Sequence, residues 1–176
     1  RQKIMHHQQS RKAGMHACHP SFHRQATIGA PHHRDLIARR QMKLLVITNL
    51  FPPQELGGYG RAMADFAWGL EQRGHKLDVC SSDAPYLLQS SLSVQLQANV
   101  LRCLHLKGTF LNGVHHLNDP SARHHIDQHN QQQIQAVINN TAYDGVLLGN
   151  LDLIGVEILQ PLLRTNLPLL HHIGYT

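Results

Sequence analysis

The segment from Met42 to Asp83 can fold in few ways. Lys43-Leu-Leu-Val-Ile-Thr48 is a short, almost wholly apolar run, the pattern of a strand covered on both faces as in a parallel sheet. A Pro-Pro loop and the turn Gly57-Gly58-Tyr59-Gly60-Arg61 follow. Ala62, Met63, Phe66, Ala67 and Leu70 then recur at the spacing of one helical face, with Arg61, Asp65 and Glu71 largely elsewhere. Gly74 predicts the end of that helix, and His75-Lys-Leu-Asp-Val-Cys80 predicts a second strand that closes at Ser81-Ser82-Asp83. Two strands joined through a helix belong to an open α/β sheet, and a long glycine-bearing loop after the first strand points to a nucleotide or sugar-phosphate site.

The remaining residues continue the alternation. Val100 to Leu106 reads as a third strand, followed by a loop carrying Gly108 and Gly113. Asp119-Pro120 predicts a helix start, with Asp as cap and Pro at the first helical position, and Ile126, Ile134, Val137 and Ile138 give that helix its core face. Tyr143-Asp-Gly-Val-Leu-Leu148 is a fourth strand, a helix falls within Asp152 to Arg164 with Pro161 kinking or restarting it, and Leu167 to Ile173 is a fifth strand. Residues 84–99, where Pro85 marks a turn, predict a short hairpin or an excursion over the sheet edge. The expected fold over 42–176 is a Rossmann-like α/β domain with a doubly wound, mostly parallel sheet.

Charge separates this body from what precedes it. Residues 1–41 hold eight Lys/Arg against one acid, Asp35, a net of +7, which leaves eight Lys/Arg against ten acids, a net of −2, for residues 42–176. The basic character therefore belongs to the leader, and a nucleic-acid partner is not expected for the mildly acidic body. The leader is rich in His, Gln, Arg and Ser without an apolar period, so residues 1–41 are expected to be disordered. Met42 stands directly before the first strand, as expected if residues 1–41 are upstream sequence or follow from a mispredicted start. No apolar run reaches the roughly 20 residues that span a bilayer, and the expected location is the cytoplasm. Cys18, Cys80 and Cys103 are widely spaced and odd in number, which fits reduced thiols, the latter two packed inside strands.

Gly58-Tyr59-Gly60-Arg61-Ala62-Met63 partly matches the dinucleotide fingerprint G-x-G-x-x-G, but Met63 replaces the third glycine and about ten residues separate it from the strand. An NAD(P)-binding oxidoreductase or epimerase domain is thus one alternative. The glycines either shape a tight helix entry or remove side chains so that backbone N–H groups approach a phosphate, with Arg61 adding charge or staying solvated. His125 and His129 stand one helical turn apart, yet the Glu of H-E-x-x-H is absent and no third ligand is specified, so no metal is expected. No Gly-x-Ser-x-Gly elbow or P-loop is present to anchor a hydrolase or kinase. Asp83, at a strand end, lies where ligands bind in doubly wound sheets, and equally suits a cap or solvated turn.

Met42 to Pro53, then Gly57-Gly58, the helix through Leu70, and Arg73-Gly74-His75-Lys-Leu-Asp-Val79 together resemble the N-terminal domain of family 4 glycosyltransferases of the GT-B fold. Tyr143 to Asn150 and Leu167 to Gly174 resemble that domain's later strands. The resemblance implies retaining transfer of a sugar from a nucleotide-diphosphate sugar to the hydroxyl of a sugar, lipid or small-molecule acceptor, with no cofactor. It implies that Gly57, Gly58 and Arg61 form the donor-phosphate loop, that this domain receives the acceptor, and that the catalytic and donor-holding residues lie mostly in a C-terminal domain beyond Thr176. The fragment alone is then expected to be inactive. Many relatives carry a histidine six residues after the proline that opens the last strand; Gly174 stands there, and the neighbouring His172 becomes the acceptor-side candidate or else a packed strand-end residue. A lipid-linked acceptor would bring peripheral membrane association. A noncatalytic interaction module, left by truncation of the donor half, is the remaining alternative.

Overall fold

The computed structural model of the chain describes residues 40–54, 58–84 and 98–172, all within the compact unit Arg39–Thr176. Residues 1–39 of the expected leader, residues 85–97 of the expected hairpin or excursion, and Gly57, Cys18 and Gly174 lie outside the described residues.

The chain runs through β1 (Lys43–Ile47), α1 (Tyr59–Glu71), β2 (Lys76–Ser82), β3 (Asn99–Leu104), β4 (Gly108–Leu111), β5 (Val114–Leu117), α2 (Pro120–Asn140), β6 (Gly145–Leu148), a 3-10 turn (Val156–Leu159) that leads into α3 (Gln160–Leu163), and β7 (Leu169–His171). Five strands form one sheet in the order β3-β2-β1-β6-β7, every neighbouring pair parallel. This is the doubly wound Rossmann-like α/β fold expected from the sequence.

β1 occupies the centre, which is why its run is apolar on both faces. Leu45 and Ile47 enter a core with Cys80, Leu104, Ile134, Leu148 and the 3-10/α3 segment. Val46, between them, enters the opposite core with Phe51, Met63, Ala64, Ala67 and Val79 beneath α1. Gly74, at φ +86, ends the segment after α1 as expected. The buried stripe of α1 is Gly60, Met63, Ala64 and Ala67, so Phe66, expected inside, is 49% exposed and Ala64 takes its place. Small residues there let the helix approach the sheet closely, and the larger ring is turned out.

α2 starts as its sequence predicts: Asp119 accepts a hydrogen bond from the Ala122 N–H at 3.0 Å and Pro120 opens the helix. That bond holds the Asp119 carboxyl below its usual value. Ile134 is fully buried, and Val137 and Ile138 pack beside the same core. Ile126 does not join it, and lines a cavity described below. Pro161 lies in the first turn of α3, where it restarts the helix after the 3-10 turn.

The largest departure is the stretch expected to be a loop, which forms the antiparallel hairpin β4–β5. Asn112 at φ +52 and Gly113 at φ +79 make its turn, the conformation that a two-residue Asn-Gly connection favours. The hairpin base is fixed by Lys107, whose backbone bonds Leu153 and Asn118 and whose Nζ pairs with Glu157 at 2.8 Å and faces Asp127 at 3.0 Å.

Candidate functional site

Strand order reverses between β1 and β6, and in open α/β sheets ligands bind at the carboxyl ends of the strands at such a point. Thr48 and Asn49 leave β1 there, and Gly149 and Asn150 leave β6. Asn49 N–H donates to Asn150 O at 2.7 Å and Gly149 N–H to Ile47 O at 2.8 Å, which ties the two strand ends together. The Asn49 side chain is spent on its own loops, accepting from Leu50 N–H at 2.8 Å and donating to Asp152 O at 3.2 Å. Gly149 is glycine because a Cβ would lie 2.8 Å from both Thr48 Oγ1 and Met63 Cγ.

The loop from β1 to α1 rests on a buried polar platform that the sequence reading did not single out. Gln54 is 3% exposed; its Nε2 donates to Ser82 O at 2.9 Å and Ala84 O at 2.6 Å. Its Oε1 accepts from Arg102, whose other terminal nitrogen donates to Pro52 O at 2.7 Å. Burial lowers the pKa of the Arg102 guanidinium, though its bonds to Gln54, Ser81 and Pro52 satisfy it. The sequence signal for this platform was a lone arginine within an otherwise apolar strand.

The two described glycines of the turn have different jobs. A Cβ at Gly60 would lie 3.3 Å from Gln54 O and 3.4 Å from Leu50 O, so this glycine lets the first turn of α1 press against the loop. A Cβ at Gly58 would meet nothing within 4 Å. Gly58 caps α1 through backbone alone, its carbonyl accepting from Ala62 N–H at 2.9 Å, and no acidic residue occupies the first turn. The N–H groups of that turn lack intrahelical acceptors and carry the positive end of the helix dipole. Arg61 is exposed in the same turn.

His172 does not join this group. Its N–H extends the β6–β7 ladder to Leu148 O at 2.8 Å, and its ring packs edge-on against Phe66, centroids 4.8 Å apart. Phe66 stands eight residues into the helix from Gly58, roughly 12 Å along the axis at 1.5 Å per residue. The structure thus brings Gly58 and Arg61 together on one helical turn and places His172 beside a different stretch of α1. His171 pairs with Leu148 and faces the other side of the sheet.

A cavity of about 380 Å³ opens at the carboxyl ends of β2 and β3, lined by Asp83, Ala84, His105, Leu106, Gly108, Thr109, Asn118 and Ile126. Asp83 Oδ2 lies 3.0 Å from His105 Nδ1. The His105 ring stacks on His129 at 4.1 Å with an interplanar angle of 17°. His129 Nε2 is 3.0 Å from Cys103 O. Asn130, only 1% exposed, clamps the His105 backbone at both ends, accepting from its N–H at 2.8 Å and donating to its carbonyl at 2.9 Å. His125 and His129, one turn apart, do not converge: His125 is exposed and His129 is turned to His105. Among the described residues no group of three or more His, Cys, Asp or Glu could hold a metal ion.

A second cavity, of about 400 Å³, lies at the opposite edge among Lys43, Gly74, His75, Lys76 and Asp78. It is slightly larger but sits at the amino ends of the strands and the carboxyl end of α1, away from the N–H groups that attract anions. One wall belongs to a structural network, in which Asp78 accepts from Tyr143 Oη at 2.8 Å and pairs with Lys43 Nζ at 2.6 Å. Burial and the Asp78 carboxylate push the Tyr143 hydroxyl above its usual pKa. Both described cysteines are free, and a hydrogen bond to Cys103 together with burial raises the Cys80 thiol. No helix among the described residues is long and apolar enough to cross a membrane.

Neither a family model nor a curated protein matches the sequence. Among solved structures, MurG from Acinetobacter baumannii is similar at a TM-score of 0.49 and 14% identity over 74% of this chain. The C-terminal domain (residues 78–226) of the PF1911 hydrogenase from Pyrococcus furiosus is similar at 0.48 and 12% identity over 76% of this chain and 93% of its own. The chain spans 35% of the length of MurG.

Proposed function

We propose that residues 42–176 form the N-terminal, acceptor-side domain of a glycosyltransferase of the GT-B kind, in which a nucleotide-diphosphate sugar is the donor and the hydroxyl of a sugar, lipid or small molecule the acceptor. The observation that carries this reading is the start of α1 at the strand-order switch: Gly58 has open space where a side chain would stand, while Gly60 is held tight against the loop below. A helix start of this kind offers N–H groups and dipole to a phosphate, and Arg61 on the same turn adds a cation. The loop beneath is already fixed by Gln54 and Arg102, so binding a phosphate here would require little reordering of the described loop residues. The family 4 resemblance of the Gly-Gly turn and the Arg73-Gly74-His75 spacing supports the same assignment. In this reading the domain positions donor phosphates and acceptor, and the residues that hold the nucleotide belong to a further domain.

The test is release of nucleoside diphosphate from a panel of nucleotide sugars by the longest natural form of the protein. Turnover in the unaltered protein that is lost in Gly58→Val, with an unchanged far-UV spectrum and melting temperature, is the expected result. Absence of release with every nucleotide sugar would overturn the reading.

A further inference from the structure

The cavity at the ends of β2 and β3 is built around one imidazole, and four separate devices fix it. Asn130 buries its amide to hold the His105 backbone at both N–H and carbonyl. His129 lies flat on the ring at 4.1 Å, itself anchored on Cys103 O at 3.0 Å. Asp83 Oδ2 takes Nδ1 at 3.0 Å. The hairpin that walls the cavity is locked by Lys107 to Glu157, facing Asp127, and by the Asn118 N–H to Lys107 O at 2.9 Å. Through these two bonds the buried amide satisfies the His105 backbone N–H and carbonyl where the chain leaves β3, and so fixes the backbone that carries the ring.

The tautomer follows from the partner. In the neutral ring, a carboxylate at Nδ1 keeps the proton there, and Nε2 is left with its lone pair. Among the described residues Nε2 has no hydrogen-bond partner. The lining also includes the polar residues Thr109 and Asn118 and the apolar residues Leu106 and Ile126. A volume of about 380 Å³ falls in the range of roughly 300–1,000 Å³ found for small-ligand sites. Polar groups that accept and donate, set beside a patch of apolar wall, fit a ring that carries hydroxyls on its rim and C–H groups on its face.

We infer that this cavity binds a small polyhydroxylated ligand, a sugar or cyclic polyol, and that His105, oriented by Asp83 and backed by His129, accepts a hydrogen bond from one of its hydroxyls. The inference deepens the function proposed above, since such a ligand would be the acceptor. It moves the acceptor contact from His172, which is packed on Phe66, to a residue on the other side of the central strand. His105 is a binding residue here and Asn130 a positioning residue.

The experiment uses the full chain, with the His105 Cε1–H and Ile126 methyl signals followed by NMR. The probes are the methyl α-D-glycosides of glucose, mannose and galactose, with tetrahydropyran as a ring without hydroxyls. The expected result is a saturable shift of both signals with at least one glycoside and none with tetrahydropyran. Asp83→Ala, a change at a half-exposed position, should weaken that binding about tenfold, the scale of one hydrogen bond, and His105→Phe, which keeps the stack on His129, should weaken it at least as much at Ile126. No saturable shift with any of the three glycosides overturns the inference, as does binding that persists unchanged in both variants. Nucleoside diphosphate added to the same sample reports on the start of α1 through its amides, so failure of the donor reading and failure of this one are seen separately.

Discussion

Two glycines two residues apart carry different constraints, and the difference can be measured. Gly60→Ala places a methyl 3.3 Å from Gln54 O and 3.4 Å from Leu50 O, both backbone atoms of a loop that is itself pinned, and should cost about 1–3 kcal/mol in urea unfolding. Gly58→Ala enters open space at a right-handed conformation, φ −89 and ψ −11, and should change stability by no more than about 0.5 kcal/mol. Equal losses at the two positions would remove the case for Gly58 as a residue kept small for a ligand. Tyr143→Phe removes the donor to Asp78, a residue 8% exposed, and should cost about 1–3 kcal/mol in the same measurement, with Lys43 left as the carboxylate's partner. At this scale the sequence identified the helix-start glycines but could not divide their roles, because Gly60's constraint comes from the carbonyl of Gln54, whose burial depends on Arg102 from another strand. The role of His105 was equally out of reach. Its partners Asp83, His129 and Asn130 lie 22 or more residues away along the chain, and only the parallel pairing of β2 with β3 and the docking of α2 bring them together.

Among elements, the regular ones were legible and the hairpin was not. The apolar run of β1, the Asp119-Pro120 start of α2 and the Gly74 stop after α1 are local signals, and local physics decides each of them. The hairpin also had a local signal, Asn112-Gly113 between Leu111 and Val114, but its strands are only four residues long and carry two adjacent histidines, which hides the alternation. Its stability leans on Lys107 instead. Burial opposes the charge on Lys107, yet its hydrogen bond to Glu157 and its pairing with the Asp127 carboxylate outweigh it and raise its pKa, while Lys107 holds the Glu157 carboxyl below its usual value. A lowered acid contributes stability above its ordinary pKa of 4.5 and loses it as pH falls. A raised amine contributes below its ordinary 10.5 and loses it as pH rises. The pair therefore works in full between those values. Glu157→Gln should lower stability at neutral pH by no more than about 1 kcal/mol, since Glu157 is partly solvated, and the difference from the unaltered protein should vanish once pH falls well below 4.5. A difference that persists in acid would mean that packing, not charge, holds the turn.

For the molecule as a whole, the alternation of strands and helices was enough to give the doubly wound order, because right-handed crossovers leave few topologies open once the first strand must be buried on both faces. The same topology sets the switch point between β1 and β6 and so places the start of α1 at the edge where open α/β sheets generally bind ligands. What the topology does not supply is which atoms are left unspent there. Asn49, Gln54 and Arg102 are committed to holding loops, whereas open space lies beside Gly58 at the start of α1 and His105 lines a cavity. The central claim is that this first turn receives the phosphates of a nucleotide. The most direct measurement is a titration of the ¹⁵N-labelled chain with UDP, GDP and ADP, following the amides of Gly58 through Ala62. Saturable shifts confined to those amides and the neighbouring Asn49 and Asn150, with a Kd on the order of 1 mM or tighter for at least one nucleotide and no response to NAD, are predicted. An absence of shifts at the start of α1 with all three nucleotides, or a response to NAD in their place, would contradict it.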